Sequence, residues 1–534
     1  MLVIRLLQKW FRFDRPEFIF LVLLLVIAGP HITRDRAFSG PDEVNHLKRA
    51  HQIAWGGVLP EVGVDRLGRS VGGTLPAAYR SERVATAHPP TGAVAYVDFR
   101  NTVLYQPILY LVYVPAIVVS EWFNLSIERM EVLARTSSLI AYALLMLGAI
   151  ALLPSGKRVM LAVGLTPFAT RMAAHVSFDV CGFAAFMLLV SACLRMAAWT
   201  RADGAEGSAS SPASLSVLPT PTAALLPPRW LLVVIAVAAL LVASWKPCYT
   251  PALLLPLLGL PTAQQQRRAR LKFAAAIVGV GLVLALTWAA MIRAYYAVQV
   301  IAPTADPDAQ GMLILQDPIN FISVMINHLS GNAMYWSTGF FAVALPPPTL
   351  MLFLLAFIGL AIIDADEPVI GRRDRAVLGV VVVVCVVLIE LLMYMAYTNL
   401  GANTVMNSSP RYFAPLMPLL LLGVSIPWGV SLWRQRAATA LAVTLILALQ
   451  ASMMPQPNTL RPQGQNPQGQ KPQGQNPPAQ NPPAQNPPAQ NPPAQNPQGQ
   501  NLRGLNPQGQ SLQGQIPQGQ SPQGQNLQGQ RPPG

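Results

Sequence analysis

Two adjacent carboxylates, Asp42 and Glu43, follow Pro41 and open a helical-looking stretch from Val44 to Trp55. A carboxylate pair beside a bilayer suits general-base catalysis or the holding of a divalent cation. Acids in that position also suit the first turn of any helix, through its dipole. His46 and Arg49 lie three residues apart and share a side if the stretch is helical, which makes them candidates for binding phosphate. Solvent or lipid headgroups would serve them equally well. Asp179 stands in His175-Val176-Ser177-Phe178-Asp179 between apolar runs. An acid there is costly unless paired or solvated, so a functional role is the default, whereas His175 reads as a packed polar residue. Lys246, in Trp245-Lys246-Pro247, interrupts two further apolar runs; it is a candidate for phosphate binding or for snorkelling to headgroups. Arg411-Tyr412 opens another run, and the planar guanidinium is well matched to phosphate oxygens. Glu390 is a lone acid inside an apolar run and is expected to face a bundle interior. Tyr105, Tyr110 and Tyr113 read as interfacial belt residues.

These groups must be positioned by membrane helices. Of 534 residues, 52% are hydrophobic and only 11% charged, well below the charge content of a soluble domain. Mean hydropathy is +0.39 even though the end of the chain is wholly polar. The net charge of +14 lies mostly in short basic runs between apolar segments, a topology signal that gives no reason to expect nucleic acid. Cys181, Cys193, Cys248 and Cys385 lie in or beside apolar segments without a CxxC pair, so neither a disulfide framework nor a zinc site is implied.

The basic start and the apolar run from Phe18 to Pro30 predict an uncleaved first span with a cytoplasmic N-terminus. A polar loop over 31–102 follows and is expected outside. Further apolar segments fall near 103–121, 137–153, 159–176, 179–198, 230–245, 248–261, 273–293, 346–364, 376–397, 412–431 and 437–453, giving about 11 or 12 spans. The Ser/Ala/Pro-rich stretch 202–228 reads as a flexible cytoplasmic loop. Basic clusters at Arg267–Lys272, Arg372–Arg375 and Arg434–Arg436 are placed inside. Counting back from them puts Asp179 outside, while counting forward from the N-terminus puts it inside. One segment between 103 and 176 is therefore expected not to cross. Residues 1–453 form the membrane domain. From 454 to 534 the chain becomes Asn-Pro-Pro-Ala-Gln and Pro-Gln-Gly-Gln repeats, a tail too polar to fold and read as a spacer or an interaction segment. No phosphate-loop, GxSxG, HExxH or Rossmann pattern appears in its required context, so no nucleotide cofactor is expected.

The stretch Pro41-Asp42-Glu43-Val44-Asn45-His46-Leu47-Lys48-Arg49-Ala50, with Gln52-Ile53-Ala54, resembles the first-loop signature of the bacterial membrane proteins of domain of unknown function 2142, which typically reads PDEPxHFxRAxxI. Val44 replaces the usual proline and Leu47 the usual aromatic residue. Ser177 with Asp179, Lys246-Pro247 with Tyr249, and Arg411-Tyr412-Phe413-Ala414-Pro415-Leu416 resemble that family's later elements. The resemblance covers about 10–453. That family is in turn similar to the GT-C integral-membrane glycosyltransferases. This implies an all-α, polytopic helical bundle in a bacterial inner membrane, with an extracytoplasmic active site. It also implies a sugar donor carried on a polyprenyl phosphate, and a glycan, lipid or protein acceptor. Asp42 would be the catalytic base or cation ligand, with Glu43 beside it and Asp179 as a second acid. Lys246 and Arg411 would contact the donor phosphate; beside this implication, His46, Arg49 and Tyr412 stand as candidate substrate contacts from the sequence itself. A divalent cation, if used, would fall to Asp42, Glu43 and Asp179. Two other classes share these features: a transporter or flippase for a lipid-linked saccharide, and a non-catalytic component of envelope polysaccharide assembly.

Overall fold

In a bilayer the backbone must satisfy its own hydrogen bonds, so long apolar runs become helices. The computed structural model describes residues 15–65, 68–80, 93–206, 227–296, 305–331, 345–364, 370–406, 408–425 and 431–452. In chain order, α1 (Pro16–Arg34) leads to α2 (Glu43–Ala54), then to strands β1 (Glu61–Asp65), β2 (Gly68–Pro76) and β3 (Val94–Asp98). A 3-10 stretch, Pro107–Tyr113, continues as α3 (Val114–Trp122). The helices α4 (Ile127–Leu152), α5 (Lys157–Gly164), α6 (Pro167–Ala173), α7 (Phe178–Glu206) and α8 (Arg229–Ala243) follow. After a second 3-10 stretch, Pro247–Leu257, come α9 (Gln264–Tyr296), α10 (Pro307–Gln316), α11 (Pro318–Leu329), α12 (Pro347–Ile363), α13 (Arg372–Tyr397), α14 (Met417–Val424) and α15 (Leu432–Ala451).

Among the described residues, six helices are long and apolar enough to cross a membrane: α1, α4, α7, α9, α13 and α15. Four shorter apolar helices accompany them, at Pro107–Trp122, Arg229–Ala243, Pro347–Ile363 and Ala414–Val424. The expected 11 or 12 spans thus resolve into long helices, short ones and two broken segments. The segment expected as a span near 159–176 is two short helices, split where Pro167 removes a backbone donor. The Thr166 hydroxyl donates to the Val163 carbonyl that Pro167 leaves without its helical donor, at 3.0 Å, and the side-chain amide of Gln450 donates to the Leu165 carbonyl at the break, at 3.2 Å. The segment near 248–261 is 3-10, with Pro251 and Pro256 inside it. Arg270 reaches back to cap it, donating to the carbonyls of Pro256 and Leu258 at 3.1 Å each. Helix α7 is the buried centre, with 89% of its span enclosed, whereas α9 has 11% enclosed and turns residues such as Val283 and Leu286 outward.

The segment from 103 to 122 resolves the topology conflict. At its start the Tyr105 carbonyl accepts from Arg49, and at its end Glu121 accepts from His51 and Trp55. Both ends are therefore tied to the single short helix α2, and the segment does not carry the chain across. Asp42 and Asp179 then lie at the same end of the bundle.

The expected polar loop holds a small sheet within the otherwise helical fold. Strands β1, β2 and β3 pair antiparallel in that order, from Glu61↔Gly72 to Asp65↔Gly68 and from Gly72↔Asp98 to Pro76↔Val94. Valines recur in these short runs, the first two broken by glycine, which favours pairing without producing a membrane-length apolar signal. The repeat tail and most of the 202–228 loop lie outside the described residues; residues 202–206 extend α7.

Candidate functional site

Four segments far apart in sequence meet at one cavity of about 250 Å³. Asp42 and His46 reach it from α2, Asp179 from the start of α7, and Arg411 from the 3-10 turn before α14. Arg171, His175 and Tyr105 complete its polar wall.

Asp42 is the N-cap of α2 and holds a left-handed backbone, φ 55° and ψ 16°. Such a conformation is costly for a residue with a Cβ and survives only where neighbours impose it. Those neighbours are identifiable. Glu43 is buried, and its carboxylate accepts four bonds: from Arg135 Nε and Nη2 at 2.8 Å each, the Val176 amide at 2.9 Å and the Gly40 amide at 3.0 Å. Arg135 also pairs with Glu131 at 2.8 Å and donates to the carbonyls of Ile32, Asp35 and Arg36. Gly40 is required here, because a Cβ would lie 2.7 Å from the His175 ring. Burial pushes the Glu43 carboxyl up, but the Arg135 bonds and the nearby His175 outweigh it and hold it below its usual range.

The adjacent acids therefore separate. Glu43 was expected to share the catalytic site with Asp42; its lone pairs are instead filled and it anchors the turn. Asp42 is exposed, and among the described residues its carboxylate accepts one side-chain bond, from Asn101 at 2.7 Å. Arg49 was expected at the substrate; it is wholly buried and donates to Gln52 and to the carbonyls of Val58 and Tyr105. Its two terminal nitrogens hold the first loop together, while its buried Nε has no hydrogen-bond partner among the described residues. Among the described residues, no three His, Cys, Asp or Glu side chains gather to hold a metal, and Asp42, Glu43 and Asp179, the residues to which a divalent cation would fall, form no such group.

His46 packs parallel to Tyr105, its Nδ1 sits 2.7 Å from the Tyr110 hydroxyl, and Tyr105 stacks on Phe178 at 4.4 Å. Burial pulls the imidazole down to about 4, with Lys246 and Arg411 adding to the shift and Asp179 opposing it. His46 is thus neutral at pH 7. The tyrosines read as belt residues form this aromatic wall. Tyr113 fixes the start of α7 by donating to the Ser177 carbonyl at 2.8 Å and accepting from its amide.

Asp179 pairs with Lys246 at 2.5 Å and accepts from the Trp245 indole at 2.8 Å. A Cβ at Gly182 would strike the Trp245 ring at 2.3 Å, so glycine there admits the indole to Asp179. The Lys246 ammonium lies 4.5 Å from the Tyr412 ring centroid, and the Tyr249 hydroxyl donates to the Tyr412 carbonyl. Lys246 and Tyr412 adjoin the cavity behind Asp179. The Arg411 Nε is buried with no hydrogen-bond partner among the described residues. Sequence reasoning missed Arg171, Arg135 and Glu131. The last two carried a signal, since charged residues inside an otherwise apolar helix need a reason to be there.

A family model described as a predicted membrane protein, DUF2142, matches residues 20–420. The chain belongs to the DUF2142 family. A search of curated proteins finds no match. Among solved structures, this DUF2142 chain is similar to ArnT from Cupriavidus metallidurans bound to undecaprenyl phosphate, at 15% identity and a TM-score of 0.34. The match covers 76% of this chain and 58% of the ArnT chain, so less than two thirds of that protein's length is spanned.

Proposed function

We propose that this protein is a membrane glycosyltransferase that takes a sugar from a polyprenyl-phosphate-type donor and transfers it to a glycan, lipid or protein outside the cytoplasm. The observation that carries the reading is the convergence of Asp42, His46, Asp179 and Arg411 on one cavity at a membrane-facing end of the bundle. Glycosyl transfer needs a base for the acceptor hydroxyl and positive charge for the departing phosphate. Asp42 has the lone pairs to take the hydroxyl proton. The acceptor oxygen then bonds to the sugar's anomeric carbon as the bond from that carbon to the phosphate oxygen breaks. Arg411 and Arg171 receive the phosphate's charge, while Lys246 is held in place by Asp179. The donor's hydrocarbon stays in the bilayer, and the active site faces the extracytoplasmic side.

The test is Asp42→Asn in full-length protein in nanodiscs, supplied with a set of polyprenyl-phosphate sugars, with release of polyprenyl phosphate as the readout. The variant is expected to lose about 10²- to 10⁴-fold in rate, the usual contribution of a general base, while melting as the wild type does. An equal rate in the variant overturns the role of Asp42. Movement of the intact carrier across the membrane without bond cleavage selects the transporter reading instead.

A further inference from the structure

A second cationic cavity lies at the opposite end of the bundle. It measures about 790 Å³ and is lined by Arg201 at the end of α7, Arg267 at the start of α9, and Arg372 and Arg373 at the start of α13. Asp179 and Arg201 sit towards opposite ends of α7. At 1.5 Å per residue they stand about 33 Å apart along the axis, close to the hydrocarbon thickness of a bilayer. The two cavities therefore serve opposite membrane faces.

Charge is matched differently in this second cavity. Among the described residues its lining has a single acid, Asp374, which is buried and engaged: it pairs with Arg201 and accepts from the amides of Gly259 at 2.8 Å and Gly371 at 3.1 Å. Arg267, Arg372 and Arg373 are exposed, and their guanidinium groups make no hydrogen bond or ion pair among the described residues. Topology alone accounts for basic residues at a membrane face. It does not account for four guanidinium groups around one concavity whose acid is already committed to shaping the floor. Leu257, Leu260 and Val377 line the same space, so an anion with an apolar portion would find both halves of its structure matched. Guanidinium forks match phosphate oxygens two at a time, and the volume lies within the range of ligand pockets.

We propose that this cavity is a phosphate-binding site, occupied by the phosphate of an anionic lipid headgroup or of a free phosphate ester. The site stands apart from the glycosyltransferase reading and does not depend on it. Full-length protein in nanodiscs of phosphatidylcholine is titrated with phosphatidylglycerol and, separately, with inorganic pyrophosphate. Retained ligand is read by native mass spectrometry after release from the disc. Wild type is expected to retain phosphatidylglycerol over phosphatidylcholine. The Arg267→Gln, Arg372→Gln, Arg373→Gln triple variant is expected to lose that preference about tenfold, as the removal of charge-assisted phosphate bonds requires. Arg293→Gln, the same charge change near the far end of α9, is expected to keep it. Retention of phosphatidylglycerol that pyrophosphate displaces assigns a general phosphate site; retention that it leaves intact assigns a lipid-headgroup site. In wild-type protein, either ligand should also protect Arg372 and Arg373 from phenylglyoxal, a readout that does not need the variant to fold. No lipid preference in the wild type, together with no protection, overturns the proposal; so does a folded triple variant that retains lipid as the wild type does.

Discussion

Asp42 and Glu43 are neighbours in sequence but belong to two regions of different character. Glu43 lies in a layer of filled valences: Arg135 commits its donors to two carboxylates and three carbonyls, and Glu43 commits both oxygens. Asp42 lies in the cavity wall, where groups keep unused capacity: its own carboxylate, Arg171, and the Nε of Arg411. The contrast separates two uses of charge. A buried charge with every valence filled fixes a backbone, because removing one partner leaves another stranded in a low-dielectric interior. A charge with spare capacity beside a cavity is available to a ligand. The cost of the strained backbone at Asp42 is met by the layer beneath it.

The largest expected effect comes from breaking the filled layer. Arg135→Ala strands Glu43 and Glu131 together and is expected to cost about 3–5 kcal/mol of stability. Loss of cooperative melting in detergent, or expression only as aggregate, is the expected result; a folded variant within 1 kcal/mol of wild type, on the scale of ~1 kcal/mol per ordinary hydrogen bond, would show that the layer is not what holds the turn.

A smaller effect probes the boundary between the two regions, at His46. Its ordinary value is about 6.5, and burial lowers it to about 4 in the folded protein. Asp179, Lys246, Arg411, Glu43 and the Tyr110 hydroxyl face it. Between these two values the unfolded chain binds a proton that the folded chain does not. The contribution of His46 to stability is therefore full above about pH 6.5, falls as pH drops towards 4 and flattens below that, by about 3 kcal/mol in all. The His46→Asn variant is expected to remove most of that slope when melting is followed across the same pH range. An unchanged slope would put the titrating group elsewhere.

The sequence showed the long helices and the site's motif residues because both are local signals: apolar runs of membrane length, and charges where hydropathy predicts none. Asp179, Lys246 and Arg411 stood out for that reason, and Asp42 as half of an adjacent carboxylate pair. The division of labour between Asp42 and Glu43 was not legible, because it depends on Arg135, 92 residues away from Glu43. The broken helix at Pro167 and the proline-rich 3-10 stretch looked like spans because hydropathy counts apolar residues and ignores the carbonyls that Gln450 and Arg270 must satisfy. The sheet is not legible because its strands are short and the first two are interrupted by glycine. The segment from 103 to 122 has the composition of a span; what keeps it from crossing is the pair of contacts to Arg49 and His51, which only the fold brings together.

The smallest effect sharpens the comparison on the cavity side, at Asn101. Its amide donates to Asp42 at 2.7 Å and its carbonyl accepts from Asn45 at 3.0 Å. It thus ties the carboxylate to α2 while leaving lone pairs for chemistry. Both groups are exposed, so Asn101→Ala is expected to leave stability unchanged and to lower kcat/KM by about 1 kcal/mol, roughly 5-fold, the size of one hydrogen bond. The decisive measurement is the double variant. If Asn101 acts through Asp42, adding Asn101→Ala to Asp42→Asn produces no further loss, because the group it orients has already gone. A loss of the same size in both backgrounds would mean that Asn101 meets the substrate itself, and the cavity wall would then gain a binding residue rather than a positioning one.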